Sequence, residues 1–170
     1  DVVPSGLHHH AEERRRRVFS NTHPLDLLRY FGGDVRDVKG WFTHFANPMP
    51  DSYTGYLQFE SGAIGRVAVD HFGTRGEGHR FQVRTAAATL QSYDGFNRVV
   101  LDRRDHEPVE FGLTGDDLKF KPGFAGETRA FVSAVRENRQ PEFPAATIWD
   151  GLATLRTIEA ITRSAEWPGG

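Results

Sequence analysis

The chain has no cysteine, almost no net charge and no long apolar run. Its 170 residues include 21 basic and 23 acidic side chains, which gives a formal net charge of −2 at pH 7. Without cysteine, no disulfide, thiolate nucleophile or cysteine-ligated metal is available. A nearly neutral chain has no overall field to attract nucleic acid or an anionic membrane. These absences predict a protein that binds neither nucleic acid nor a membrane.

The apolar stretches are also too short to cross a bilayer, which takes roughly 20 residues. The N-terminal residues lack the basic-then-apolar order of a signal peptide. We therefore expect a cytoplasmic location, which the absence of cysteine fits.

Residues 1–18 are polar and lack apolar periodicity, so we expect a flexible arm or a truncated loop there, followed by one domain over residues 19–170. Three histidines at 8–10 offer imidazoles without fixed geometry, and we predict no metal site. Four arginines at 14–17 follow two glutamates and have no aromatic neighbours that would stack on bases. We interpret them as a solvated arm or a contact with another domain.

A short helix is predicted from Thr22. Leu25 and Leu28 follow its apolar spacing, and Gly32 with Gly33 supplies its end. After Asp34 the apolar period changes to two, which is typical of strands. The strand segments are VKGWFTHFA, YTGYLQF, AIGRVAVDHF, HRFQVRT, TLQSY, RVVLD and PVEFGL.

These strands follow one another so closely that neighbours must be antiparallel, because parallel neighbours need a crossover of a dozen or more residues. Gly62 is expected to take a positive φ in a tight hairpin turn. The last fifty residues return to a helical period, with one helix over Glu127–Arg139 and another after Thr147. The order predicts an α+β fold: a predominantly antiparallel sheet of about six strands, with helices covering one face and the other face open for oligomerisation.

The segment from Ile64 to Phe72 bears on that open face. Its alternating positions carry apolar side chains on both faces, so neither face is cleanly polar. A semi-apolar open face favours a homodimer or higher oligomer. The alternative is a longer helix cover or a buried edge.

His23 is the strongest candidate for chemistry, because it lies at the tip of the first predicted helix. The positive end of a helix favours a neutral imidazole, which can accept as well as donate a proton. Asp26, three residues on, is placed to accept from one ring nitrogen, and the pair suits general acid/base work. Alternatively, His23 caps its own helix and Asp26 only complements the helix dipole.

A second group of candidates consists of Asp70, His71 and Arg75. They lie at the end of one predicted strand, where a cleft can open. The alternative is a solvated charge cluster.

Three stretches occur in order between about residues 21 and 167: HPLDLLRYFGGDV, YLQFESGAIGRV and ETRAFVSAVRENRQPEFPAATIWDGLATLRTIEAITRSAE. Together they resemble the C-terminal domain of the glucose-fructose oxidoreductase, inositol dehydrogenase and MocA family. The resemblance implies that His23 faces a cleft beside a nicotinamide and acts on or positions a substrate hydroxyl. It also implies a sugar or polyol substrate and an oligomer formed through the open sheet face. We assign substrate contacts to Asn21, Asp26, Asp70, His71 and Arg75.

The chain departs from the family pattern in two respects. Phe19 and Asn21 stand where the family has an aspartate and a glycine before the histidine. The family's N-terminal nucleotide-binding half is also missing, since no strand leads into a glycine-rich phosphate turn. Lys121-Pro122 follows the histidine, so it is not the family's catalytic Lys-Pro pair, which belongs to that missing half.

We therefore expect no cofactor in this chain itself, and NAD(P) on an N-terminal domain. The predicted function is the substrate-binding and oligomerising half of an NAD(P)-dependent oxidoreductase that acts on a sugar or polyol hydroxyl. Two alternatives remain: a cofactor-free isomerase or lyase that uses His23 as a base, and a non-catalytic dimerisation module of the same fold.

Overall fold

A computed structural model describes residues 22–43, 51–70 and 80–165. Within these ranges the chain forms three α-helices, seven strands and one 3-10 turn, and the α+β class is confirmed. In chain order they are α1 Thr22–Gly32, β1 Val35–Thr43, β2 Ser52–Phe59, β3 Ile64–Asp70, β4 Gln82–Arg84, β5 Ala88–Tyr93, β6 Arg98–Arg103, β7 Val109–Gly112, the 3-10 turn Gly115–Leu118, α2 Phe124–Arg136 and α3 Ile148–Ser164. No helix of the described residues is long and apolar enough to span a bilayer.

The strands pair antiparallel, as predicted, but they form two sheets instead of one of about six strands. One sheet has the order β1-β2-β3 and the other the order β4-β5-β6-β7. The chain divides into two compact units, with residues 1–74 and 148–170 in the first and residues 75–147 in the second. The hairpin between β2 and β3 turns at Gly62, whose φ of +84° confirms the predicted left-handed turn residue.

Helix α1 begins and ends where its sequence predicts. Pro24 lies in its first turn, where a missing N–H breaks no helical hydrogen bond. Gly33 follows the last residue with a φ of +88°, and its N–H donates to the Arg29 carbonyl at 2.8 Å. A left-handed glycine at this position is a common helix end, because it lets the chain turn away while an orphan carbonyl is satisfied.

The core of the first unit lies between its sheet and the helices α1 and α3. Inward positions alternate along β2 and β3 with outward positions that are half-buried or exposed. Full burial of such side chains contributes about 1.5–3 kcal/mol each. The buried cluster consists of Leu25, Phe42, Tyr53, Leu57, Phe59, Val67, Ile158 and Ile161.

A pair of glycines lets α3 approach this sheet closely. Gly40 and Gly55 face each other across β1 and β2. A Cβ at Gly40 would lie 2.8 Å from both the carbonyl oxygen and Cγ2 of Ile161. A Cβ at Gly55 would lie 3.3 Å from Cδ1 of the same isoleucine. The helix therefore rests in a groove that exists because these two strand positions carry no side chain.

The face of α3 that is buried is not made up of its apolar side chains alone. Thr154 and Thr157 are buried together with Ile158 and Ile161, whereas Ile148 and Leu155 are exposed. The helix is apolar on more than one side, so periodicity alone does not select the face that meets the sheet.

The second unit contains the four-stranded sheet, the 3-10 turn and α2. Helix α2 begins at Phe124, after Gly123 with a φ of +85°, and ends at Arg136. It therefore starts and stops three residues before the range predicted from the sequence. Asn138, with a φ of +50°, takes the chain out of the helical region before Pro141 is reached.

Candidate functional site

His23 is the second residue of α1, and its side chain is exposed. The packing of α1 shows which end of the sheet it faces. At the other end of the helix, Gly32 lies against the Phe59 ring, where β2 ends, and Leu28 lies near Gly65, where β3 begins. The first turn of α1 is therefore directed toward the opposite end of the sheet, where β2 begins at Ser52 and β3 ends at Asp70.

Asp26 is engaged by α3. Its Oδ1 accepts a hydrogen bond from Thr154 Oγ1 at 2.9 Å. Arg29, one turn further along α1, donates from Nη1 to Thr154 Oγ1 at 3.2 Å and to the Asp150 carbonyl oxygen at 2.9 Å. The expected pairing of Asp26 with the imidazole thus stays a prediction, because the contact that the structure gives for its carboxylate is with α3.

Arg29 and Thr154 were not among the residues singled out from the sequence. The Arg29 side chain is 10% exposed and Thr154 is 2% exposed, so both are largely removed from water. The one signal available was Thr154 itself, a polar residue in the middle of a helix with several apolar faces. Its partners lie more than a hundred positions away along the chain, and periodicity does not report contacts of that kind.

Asp70 ends β3, opposite Ser52. Strand alternation places Asp70 with the exposed residues Arg66 and Ala68, on the face away from α1 and α3. It therefore does not share the face on which the helix of His23 packs. Asn21, His71 and Arg75 lie outside the described residues, and the proposed grouping of Asp70 with His71 and Arg75 remains a prediction.

Tyr53 is another buried side chain with a polar group that the sequence did not indicate. It lies near the start of β2, toward the end of the sheet that the first turn of α1 faces, and is 2% exposed. Its hydroxyl has no hydrogen-bond partner among the described residues. Burial raises the pKa of this hydroxyl, so the group stays neutral at ordinary pH. An unsatisfied buried hydroxyl costs about 1–3 kcal/mol.

The described residues do not form a dinucleotide site. Such a site needs a parallel strand that leads through a glycine-rich turn into a helix N-terminus. Here the described strands pair antiparallel, α2 follows a 3-10 turn, and α3 follows α2. In the same part of the chain, no group of three or more histidine, aspartate or glutamate side chains is arranged to hold a metal ion.

The described residues thus form an α+β domain with antiparallel sheets and no dinucleotide fold of its own. Residues 18–167 match the family model described as "Oxidoreductase family, C-terminal alpha/beta domain", so the chain belongs to the glucose-fructose oxidoreductase, inositol dehydrogenase and MocA family as its C-terminal domain. The resemblance drawn from the three sequence stretches is thereby confirmed. No curated protein shows significant sequence similarity to the chain.

Solved structures share the fold at low sequence identity. UDP-N-acetylglucosamine 3-dehydrogenase from Acidithiobacillus ferrooxidans matches with a TM-score of 0.68 at 18% identity, over 85% of this chain and 45% of that protein. A levoglucosan dehydrogenase in complex with NADH and levoglucosan gives 0.68 at 17% identity, over 84% and 46%. The WlbA dehydrogenase from Bordetella pertussis, in complex with NADH and UDP-GlcNAcA, gives 0.63 at 21% identity, over 85% and 42%. The chain thus spans less than half the length of each.

Proposed function

We propose that the chain is the substrate-binding and oligomerising C-terminal domain of an NAD(P)-dependent oxidoreductase that acts on a sugar or polyol hydroxyl, with His23 as the proton shuttle. The family match over residues 18–167 carries the proposal. The NAD(P) would be bound by a separate domain, because the described residues lack a dinucleotide fold. A separate cofactor domain is consistent with two structural neighbours that were solved with NADH. This chain matches less than half the length of each of them.

The proposed substrate class rests on the same neighbours. The names of the three matched enzymes or of their bound ligands refer to UDP-N-acetylglucosamine, levoglucosan and UDP-GlcNAcA, all of which are sugars or sugar nucleotides. Fold similarity at this level of identity does not transfer any one of these substrates. The shared chemistry is a ring carbon that carries a hydroxyl group.

His23 is suited to handle the proton of that hydroxyl. Oxidation of a carbinol releases the hydroxyl proton, and an imidazole within hydrogen-bond reach takes it as a general base. The nicotinamide supplies the redox chemistry from its own domain. His23 is exposed in the first turn of α1, so a ligand can reach it. Because Phe19 stands where the family has an aspartate, His23 carries this task without the usual acid before it.

Binding of a sugar to the chain itself tests the substrate assignment. We expect levoglucosan or UDP-N-acetylglucosamine to shift the Cε1–Hε1 cross-peak of His23 saturably in a ¹H–¹³C NMR titration. His23→Gln assigns that peak, and the peak of exposed His106, in the second unit, serves as the internal control. If these two sugars, glucose and myo-inositol all leave the His23 peak in place at millimolar concentration, sugar binding at this site is wrong.

Oligomerisation is proposed through the outer face of the β1-β2-β3 sheet. Trp41, Tyr56 and Ile64 are exposed there, and the Trp41 and Tyr56 rings meet edge to face with centroids 5.8 Å apart. Aromatic and aliphatic side chains grouped on one exposed sheet face are typical of subunit contacts. The face also carries the cations Lys39 and Arg66, which pair with Tyr56 from the strands on either side of it.

Light scattering checks this interface. We expect a dimer or a larger oligomer for the unmodified chain and a monomer for Ile64→Asp, because Ile64 is 76% exposed on the proposed face and a buried carboxylate would be left unpaired. Leu118→Asp changes a residue of similar exposure, 69%, in the 3-10 turn of the second unit, and should keep the oligomer. A monomeric unmodified chain at high concentration would contradict the interface.

A further inference from the structure

The hydroxyl of Thr154 is used differently from those of the other threonines in α3. Thr157 and Thr162 each donate to the carbonyl oxygen four residues earlier in their own helix, both at 2.9 Å. Thr154 instead donates across the helix interface to Asp26 Oδ1 and accepts from Arg29 Nη1. Its one hydroxyl hydrogen and one of its lone pairs are therefore both committed to α1.

A second contact fixes the same pair of helices. Arg29 Nη1 also donates to the carbonyl oxygen of Asp150, one turn before Thr154 in α3. The guanidinium thus bridges two turns of α3, and the hydroxyl of Thr154 connects it to the carboxylate of Asp26. Hydrogen bonds to charged groups contribute more to stability than neutral ones, and removal of the shared hydroxyl would leave both charged partners incompletely satisfied.

Asp26 lies three residues after His23, so the two share neighbouring positions on adjacent turns of α1. Because Thr154 of α3 holds the carboxylate of Asp26, α1 has a fixed rotation about its own axis. The direction in which His23 leaves the helix is then fixed as well.

We propose that Thr154 is a positioning residue: through its hydrogen bonds to Asp26 and Arg29 it sets the orientation of α1 and therefore of His23. Asp26 then also acts by position, through Thr154, and not as the proton partner of the imidazole. This inference rests on the proposed role of His23, but its test does not require a bound sugar.

The test compares Thr154→Val with Thr154→Ser and Thr157→Val in the full chain without ligand. Thr154→Val keeps the shape but removes the hydroxyl, and we expect the His23 imidazole cross-peak to move or broaden. Amide hydrogen exchange in α1 should accelerate about tenfold or more, because losing a hydrogen bond to a charged group favours local opening of the helix by about this factor. Thr154→Ser restores the hydroxyl and should return both readouts to the original values. Thr157→Val removes a buried hydroxyl that bonds only within α3 and should leave the His23 peak in place.

Asp26→Asn is a second variant, which can still be measured if Thr154→Val does not fold. The amide keeps a carbonyl oxygen for the Thr154 hydroxyl, so positioning predicts an unmoved His23 peak, whereas a direct charge on the imidazole predicts a displaced one. The inference is overturned if Asp26→Asn displaces the peak, if Thr154→Val matches Thr157→Val, or if Thr154→Ser does not rescue. Failure of the unmodified chain to bind any sugar counts against the proposed function alone, because these comparisons are made without a ligand.

Discussion

His23→Gln is expected to lower kcat by about 10²–10⁴ in an enzyme assembled from this chain and an NAD(P)-binding domain, which is the usual contribution of a positioned general base. Glutamine keeps hydrogen-bonding capacity and similar size but cannot take up the hydroxyl proton. The loss should therefore fall on kcat, with KM for the sugar and the affinity for the dinucleotide changed much less. Steady-state formation of NAD(P)H, followed by absorbance, measures both constants.

His106→Gln is the matched control for that experiment. His106 is exposed, lies in the second unit, and follows β6 in a turn where its N–H donates to the Arg103 carbonyl at 3.3 Å. The same chemical change there should leave kcat and KM unaltered. A His23→Gln enzyme with the original kcat would remove His23 from the proton path and favour the dimerisation module over the catalytic domain.

The sequence predicted those parts of the site that depend on local patterns. The helix that carries His23 was placed to within a residue, because its apolar spacing, its early proline and its terminal glycines are all short-range signals. The contact of Asp26 with Thr154 joins residues 128 positions apart, and local patterns contain no information about it. For Asp70, strand alternation did indicate the correct face of the sheet. Asp70 is two residues after Ala68 and four after Arg66, so the three side chains lie on the same outer face.

For the fold as well, local features could be predicted from the sequence and long-range contacts could not. Each of the seven strand segments was recognised from alternation and turn residues, and antiparallel pairing followed from their short connections. Whether those strands join into one sheet or two depends on side-chain packing between segments that are distant along the chain. The close approach of α3 to the first sheet is also a long-range effect, although two glycines inside strands were a visible sign of it.

Gly40→Ala is expected to destabilise the first unit by about 1–3 kcal/mol, the usual cost of overpacking. The new methyl group would lie 2.8 Å from the carbonyl oxygen of Ile161, which belongs to the backbone of α3 and moves only if the helix moves. Lifting α3 would separate Ile158 and Ile161 from the core cluster. Urea unfolding followed by tryptophan fluorescence is a specific measurement, because both tryptophans of the described residues, Trp41 and Trp149, belong to the first unit.

Gly151→Ala is the control within the same unit and with the same chemical change. Gly151 is an exposed residue of α3, and a Cβ there would meet no atom within 4 Å. Alanine in a helix avoids the conformational entropy cost of glycine, so stability should rise by about 0.5–1 kcal/mol. Opposite signs for the two variants would show that the closeness of α3 to β1, and not loss of glycine as such, limits substitution. If Gly40→Ala instead raised stability as Gly151→Ala does, α3 would not be seated in the groove of Gly40 and Gly55, and the core of the first unit would need a different account.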